Sequence, residues 1–433
     1  MPIRHFDPAP GYAELFQAMR GALPGPADLR QESFERFAEL GFPNLRAEAW
    51  KYTNLKPVAE LAPSAPRPAS LTVQDVADVF IGGDDVHRLV FVNGHLAKDL
   101  SSPVPVPAGL SITTLAEGLA VDPALLAEPQ TDRALTALNA ALAEGGAVIE
   151  VAAGTDVQPL VQLVFVTVGD GTTLTNVRNR VVLGAGARLR MAETHLAIGD
   201  GGVANIVNTI TVGEGGSLDV DKLELGVGTS TLLAHTRARL ARQARFSKTT
   251  VCVGGGLVRN ETHAHLDGSE ADLHLNGVYA PAAGEHVDTA IRVDHRAPNC
   301  ESNQFYKGIL AAGGHGVFAG KIFVDQVAQQ TNAYQQNDNL MLARDAELDT
   351  KPELEIYADD VKCSHGATVG ELDEASLFYL RSRGLDQAKA RSLLTFAFAG
   401  EIIEKLVHED SQHQARRALL GRLPGGHDLM ELV

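Results

Sequence analysis

Cysteine is scarce in this chain. Its 433 residues include three, Cys252, Cys300 and Cys363, far apart and with no Cys-x-x-Cys spacing. So few thiols make no disulfide framework, and a reducing cytoplasm fits them. Basic residues are also in deficit: 37 Lys and Arg face 54 Asp and Glu, for a formal charge of −17. Nucleic acid is excluded as a partner, because phosphate binding needs clustered cations. No run reaches the roughly 18 to 20 apolar residues of a membrane span. The start, Met-Pro-Ile-Arg-His-Phe-Asp-Pro, lacks the apolar core of a signal peptide. Phosphate-loop chemistry is missing too. Gly254-Gly-Gly256 and Gly313-Gly-His-Gly316 lack the Gly-Lys-Ser/Thr ending, so no nucleotide is expected on this chain. No Gly-x-Ser-x-Gly elbow and no His-Glu-x-x-His occur.

What is present divides into three. Residues 1–147 read as mainly helical. Ser33 is placed to cap a helix through Leu40 that Gly41 and Pro43 stop, the only tryptophan is Trp50, and Ala62 to Ser70 is a proline-rich loop. Val86 to Leu96, with Asn93-Gly94, reads as a hairpin, and Thr131 to Ala143 as a helix. From Val148 the helical period gives way to alternation. Val177, Val181 and Leu183 oppose Arg178 and Arg180, and Leu218 and Val220 alternate with Asp219 and Asp221. Glycine corners recur: Leu183-Gly-Ala-Gly-Ala-Arg-Leu189 resembles Val212-Gly-Glu-Gly-Gly-Ser-Leu218, with looser copies at Leu266–Leu273 and Leu342–Leu348. Intervals near multiples of about 25 to 29 residues mark a solenoid. The recurring corners and the shortage of proline favour a parallel β-helix over a β-sandwich for residues 148–369. The basic run Arg237, Arg239, Arg242, Arg245 and Lys248 reads as a solvated strand face.

Helices return in residues 370–433. Asp373 caps one through Arg383, with Gly384 after it, and Asp386 caps a second, roughly Gln387 to Val407. The second carries Leu393, Leu394, Phe396, Phe398, Ile402, Ile403 and Leu406. That apolar arc is wide for a helix resting on one surface, so it is either packed on its own helical neighbours or partly a docking surface for another protein.

Two groups could carry metal chemistry. In Cys363-Ser-His365 the two side chains share one strand face and offer a thiolate and an imidazole, suited to iron, copper, zinc or a cluster. Two ligands complete no site by themselves, and a cluster needs about four, so a partner chain would have to supply the rest. The alternative is a small buried thiol beside a hydrogen-bonded histidine. His263-Ala-His265 is the second group, a His-x-His pair able to bind metal or only to hydrogen-bond. Asp219 and Asp221 would be the acids of a β-helix carbohydrate-active enzyme, though no sequence feature pairs them with a cleft.

The runs Cys363-Ser-His-Gly-Ala-Thr-Val-Gly, Leu377-Phe-Tyr-Leu-Arg-Ser-Arg-Gly384, Ala397-Phe-Ala-Gly-Glu-Ile402 and Glu48-Ala-Trp50-Lys-Tyr-Thr-Asn-Leu55-Lys resemble the SufB/SufD family of the SUF iron–sulfur cluster assembly system. Where SufB-like chains have a cysteine before an Asp-Ser-Leu/Met-Leu run, this one has Asn337-Asp-Asn-Leu-Met-Leu342, which resembles the SufD branch. The resemblance implies a mainly β protein, a right-handed parallel β-helix flanked by helical domains. It implies a non-catalytic scaffold in a complex with a SufB paralogue and the SufC ATPase, with homodimers possible in isolation. It also implies that His365, with Cys363 nearby, holds iron or a nascent iron–sulfur cluster shared with SufB. SufC docking falls on the C-terminal helices, on the arc of Leu393, Phe396, Phe398, Ile402 and Ile403. Reduced flavin binds such complexes, at no residue assignable here.

Overall fold

A computed structural model describes residues 5–83, 85–102, 104–126, 133–426 and 429–430. The first four residues and Thr131 lie outside the described residues.

The β region is a parallel solenoid of about eight turns with two long sheets. The first sheet takes His87–Val92, the leading halves of Val161–Leu183 and Arg188–Val212, then Ser217–Gly226, Arg245–Cys252, Asp272–Tyr279, Glu301–Leu310, Asn332–Met341 and Lys362–Gly370. The second takes Ala147–Val151, the trailing halves of the same two long strands, then Thr231–Leu240, Leu257–Leu266, His286–His295, His315–Val324 and Glu347–Ile356. The repeat runs from 26 residues, Thr231 to Leu257, to 32, His315 to Glu347. Strand His87–Val92 forms the expected hairpin with His95–Leu96, and its other edge pairs with Val161–Val166. It therefore opens the first sheet from within the segment read as the N-terminal domain.

The glycine corners explain the regular stacking. Gly186 (φ +68°) and Gly215 (φ +64°) hold left-handed backbone where glycine pays no Cβ penalty. Each donates its N–H to the next coil, Gly186 to Glu214 O at 2.8 Å and Gly215 to Arg242 O at 2.9 Å. Gln243, Glu270, Asn299 and Gln330 take the same position in later coils with φ of 56° to 62°. Leu266–Leu273 is this corner, whereas Leu342–Leu348 joins the first sheet to the second and so is the other corner.

Inside, apolar residues stack coil on coil: Leu218, Phe246 and Leu273 are adjacent in register and fully buried. Each such side chain contributes about 1.5 to 3 kcal/mol by burial. Outside, each sheet is covered over part of its length. The N-terminal segments bring Trp50, Leu55, Leu138 and Leu142 onto Leu174, Val203 and Leu233 of the second sheet. Helices Gln387–Ile403 and Glu409–Arg422 bring Ile402, Ile403 and Leu419 onto Leu223, Val251, Val278 and Ile309 of the first. The expected caps Asp373 and Asp386 accept backbone N–H bonds from Ser376 (2.8 Å) and Lys389 (2.9 Å). Ser33 is not a cap. Its helix starts at Ala27 after Pro26, and Ser33 Oγ donates to Leu29 O at 2.7 Å within it. The helix from Gln387 ends at Ile403, short of Val407.

Candidate site at the end of the solenoid

Cys363 and His365 lie on Lys362–Gly370, the final strand of the first sheet. Among the described strands its one hydrogen-bonded neighbour is Asn332–Met341. The register sets Cys363 beside Ala333 and His365 beside Gln335, both buried and lumen-facing. The pair thus points along the inside of the last coil. Cys363 is half-buried against Ala333 and Ala358, while His365 is exposed. Burial raises the Cys363 thiol above its ordinary pKa, so the protonated form dominates near neutrality. Behind His365, Gln335 donates to Gln304 at 2.8 Å, and Gln304 Nε2 and Gln335 Oε1 have no hydrogen-bond partner. The column Gln304–Gln335–His365 is therefore a polar path opening at the solenoid's end. The last strand of the second sheet, Glu347–Ile356, is likewise paired on one side. Exposed apolar groups lie on or beside these terminal strands: Ile356, Tyr357 and Val369, with Phe378 and Tyr379 on the helix that follows.

Residues 11–163 match the family model "SufBD protein N-terminal region" and residues 165–398 match "SUF system FeS cluster assembly, SufBD core domain". The chain belongs to the SufBD family. It is 32% identical over 409 residues to iron-sulfur cluster assembly protein SufD of Escherichia coli (strain K12), covering 92% of this chain and 93% of that one. It is also 32% identical over 405 residues to a SufBD family protein of Synechocystis sp., covering 90% and 89%. A third relative, SufD of Bacillus subtilis (strain 168), is 29% identical over 290 residues, 65% of this chain and 64% of its own.

In this SufBD chain several of the candidate residues fall elsewhere than expected. Ile402 and Ile403 are fully buried against the first sheet, so they are unavailable as a docking surface while the helix is seated. Leu393, Phe396 and Phe398 are half-buried. Phe396 and Phe398 pack on the same cluster, and Lys307 lies 4.5 Å from the Phe398 ring centroid. The acid pair of the carbohydrate-enzyme reading is divided between structural duties. Asp221 accepts N–H bonds from Val407 (2.9 Å) and His408 (3.0 Å), clamping the C-terminal helices, and Asp219 pairs with Arg245 at 2.8 Å. Lys248 is no part of a solvated face. It points into the lumen, fully buried, and donates to Thr262 at 2.7 Å.

Lys248 belongs to a charged lattice inside the lumen that the sequence reading missed. Lys222 donates to Asn260 at 2.6 Å and pairs with Glu224 at 2.9 Å; Glu193 takes His195 at 2.6 Å and Asn208 at 2.9 Å. Burial alone would raise Glu193, but Lys222 and His195 hold it down to about 2. Burial, with Lys222 close by, pushes Lys248 down to about 7. Alternating charge along Glu193-x-His195 and Lys222-x-Glu224 was the available signal. It resembled an ordinary outer face.

His263 and His265 stand on the outer face of the second sheet, three coils from the end. His263 Nε2 is 3.1 Å and His265 Nδ1 3.3 Å from the same Oδ2 of Asp294, one coil further on. His263 lines a cleft of about 310 Å³ between this sheet and the N-terminal segment that carries Glu48, Ala49 and Tyr52. Among the described residues this is the one cluster of three His, Cys or carboxylate groups at mutual ligand spacing. His286 and His315 meet Nδ1 to Nδ1 at 3.1 Å, tied to Thr53 and Asp349 by hydrogen bonds.

Proposed function

We propose that this chain is a non-catalytic scaffold subunit of SUF iron–sulfur cluster assembly, contributing half of an iron or nascent-cluster site that a SufB paralogue completes. The observation that carries the reading is the placing of Cys363 and His365: lumen-facing, on a strand with one free edge, at an end bordered by exposed apolar side chains. A second parallel solenoid can extend such an edge by backbone pairing, covering Ile356, Tyr357 and Val369. His365 is the ligand already accessible. Cys363 becomes a ligand when metal displaces its proton, since the thiolate is the binding form. The SufC ATPase would dock on the exposed Phe378 and Tyr379, with the half-buried Leu393 beside them on the next helix, and not on Ile402 or Ile403. The same open edge would let two copies of this chain pair when the paralogue is missing.

The test is purification of the complex carrying His365→Ala. All subunits should still co-purify, with iron and acid-labile sulfide well below the parent complex. Unchanged iron and sulfide would overturn the role of His365, and loss of the complex itself would reduce this strand to a structural edge.

A further inference from the structure

We infer that His263, His265 and Asp294 form a second metal site on the outer face of the solenoid, selective for a divalent transition cation of the Zn²⁺, Co²⁺ or Fe²⁺ kind. It is separate from Cys363 and His365 and does not depend on the function proposed for them.

Three observations converge on it. The first is spacing. Bonds of about 2.1 Å from a metal to nitrogen and oxygen place neighbouring ligand atoms about 3.0 Å apart in an octahedral shell and about 3.4 Å apart in a tetrahedral one. The two imidazole-to-Oδ2 separations, 3.1 Å (a hydrogen bond in this structure, from His263) and 3.3 Å, lie in that interval, so a cation can take the place of the shared proton with little movement of the ligands. The second is an orphaned imidazole. His265 is 2% exposed, and neither ring nitrogen has a hydrogen bond. Its Nδ1 is near Asp294 without a hydrogen bond's alignment, and a buried polar group left so is costly unless a ligand takes it. The third is access with a positioned carboxylate. His263 opens on the cleft, while Arg292 Nε holds the other oxygen, Oδ1, at 2.7 Å and so aims Oδ2 at the histidines. Two imidazoles and one carboxylate, with free positions on the cleft side, suit borderline cations rather than Mg²⁺ or Ca²⁺.

One group competes. Arg296 Nη2 donates to Oδ2 at 2.9 Å, where a cation would sit. It has another partner, since its Nη1 is 3.5 Å from Asp267. Metal entry therefore moves Arg296 from Asp294 to Asp267, and the arginine weakens the site without closing it.

The experiment titrates Co²⁺ into the full chain carrying Cys363→Ala and His365→Ala, which removes the other candidate ligands. One equivalent should bind, with a visible ligand-field spectrum and no thiolate charge-transfer band, and Zn²⁺ should displace it. His263→Gln, on the partly exposed ligand, should weaken binding at least tenfold with an unchanged far-UV spectrum. Arg296→Gln should tighten it several-fold. The inference is overturned by absence of saturable binding, or by His263→Gln and Arg296→Gln both leaving the affinity unchanged.

Discussion

Replacing Lys248 by methionine should stabilise this protein near neutral pH, and the gain should vanish in alkali. In the fold Lys248 is sealed in the lumen with Lys222 close by, and its pKa falls from 10.5 to about 7. The unfolded chain keeps an ordinary lysine near 10.4. Between about pH 7 and 10 the unfolded state therefore binds a proton that the native state does not. Linkage then makes stability rise with pH across that window, and the penalty is complete below about 7. At 1.36 kcal/mol per pH unit the penalty is on the order of 4 kcal/mol. Lys248→Met removes it, but leaves the Thr262 hydroxyl without the 2.7 Å bond it accepts, at a cost of about 1 kcal/mol. A net gain of roughly 3 kcal/mol is expected at pH 6.5, shrinking to zero or a slight loss by pH 10. Urea unfolding of parent and variant at pH 6.5, 8 and 9.5 measures this. Taking the difference between the two proteins cancels the buried thiols, which titrate in both. Parallel stability–pH profiles, or a variant less stable than the parent at pH 6.5, would refute the reasoning.

Other perturbations have equally definite outcomes. Ile402→Ala should cost about 2 to 5 kcal/mol and make the C-terminal helices cleavable by limited proteolysis, because its side chain fills the seam with the first sheet. Trp50→Ala should cost about 3 to 5 kcal/mol in unfolding experiments and loosen the N-terminal segment in hydrogen exchange, since the indole stacks 3.8 Å from the buried Arg259 guanidinium. Burial holds His286 and His295 at about 4 in the fold, while an unfolded histidine titrates near 6.5. Stability should therefore fall as pH drops from about 6.5 to about 4, by roughly 2 to 3 kcal/mol for the fully buried His295, and His295→Gln should flatten that limb of a urea-midpoint profile.

The solenoid was legible because its corners are built from backbone. Gly186 and Gly215 announce left-handed turns, and their spacing gives the coil length to within a few residues. The caps Asp373 and Asp386 were legible for the same reason, being local hydrogen bonds to backbone N–H groups. What alternation could not convey was which of two faces meets water, because flanking helices cover the outer one. Asp221 and Lys222 are neighbours, one buried under helices and the other in the lumen, and sequence contrast cannot separate two buried faces. Lys248 was misplaced on that account, as were Ile402 and Ile403, whose partners Val251 and Ile309 lie far away in sequence. Asp294 was missed because it meets His265 only through a step of one coil. The Cys363–His365 pair was visible as a pair. Its position at an uncovered end depends on which strand comes last.

The charged lumen gives the coils that carry it an address. In an apolar solenoid one coil can replace another, and a repeat can be lost or duplicated with an effect confined to its neighbours. Here the coil bearing Lys222 and Glu224 must lie beside the one bearing Glu193 and His195, and across from Asn260. Sliding the stack by one turn would strand several buried ions without their partners, at several kcal/mol each. The chain therefore carries an internal lock on strand order that its corners, which share one left-handed backbone turn from coil to coil, could not supply. Evolution by coil duplication would be closed to its middle and open only toward its ends.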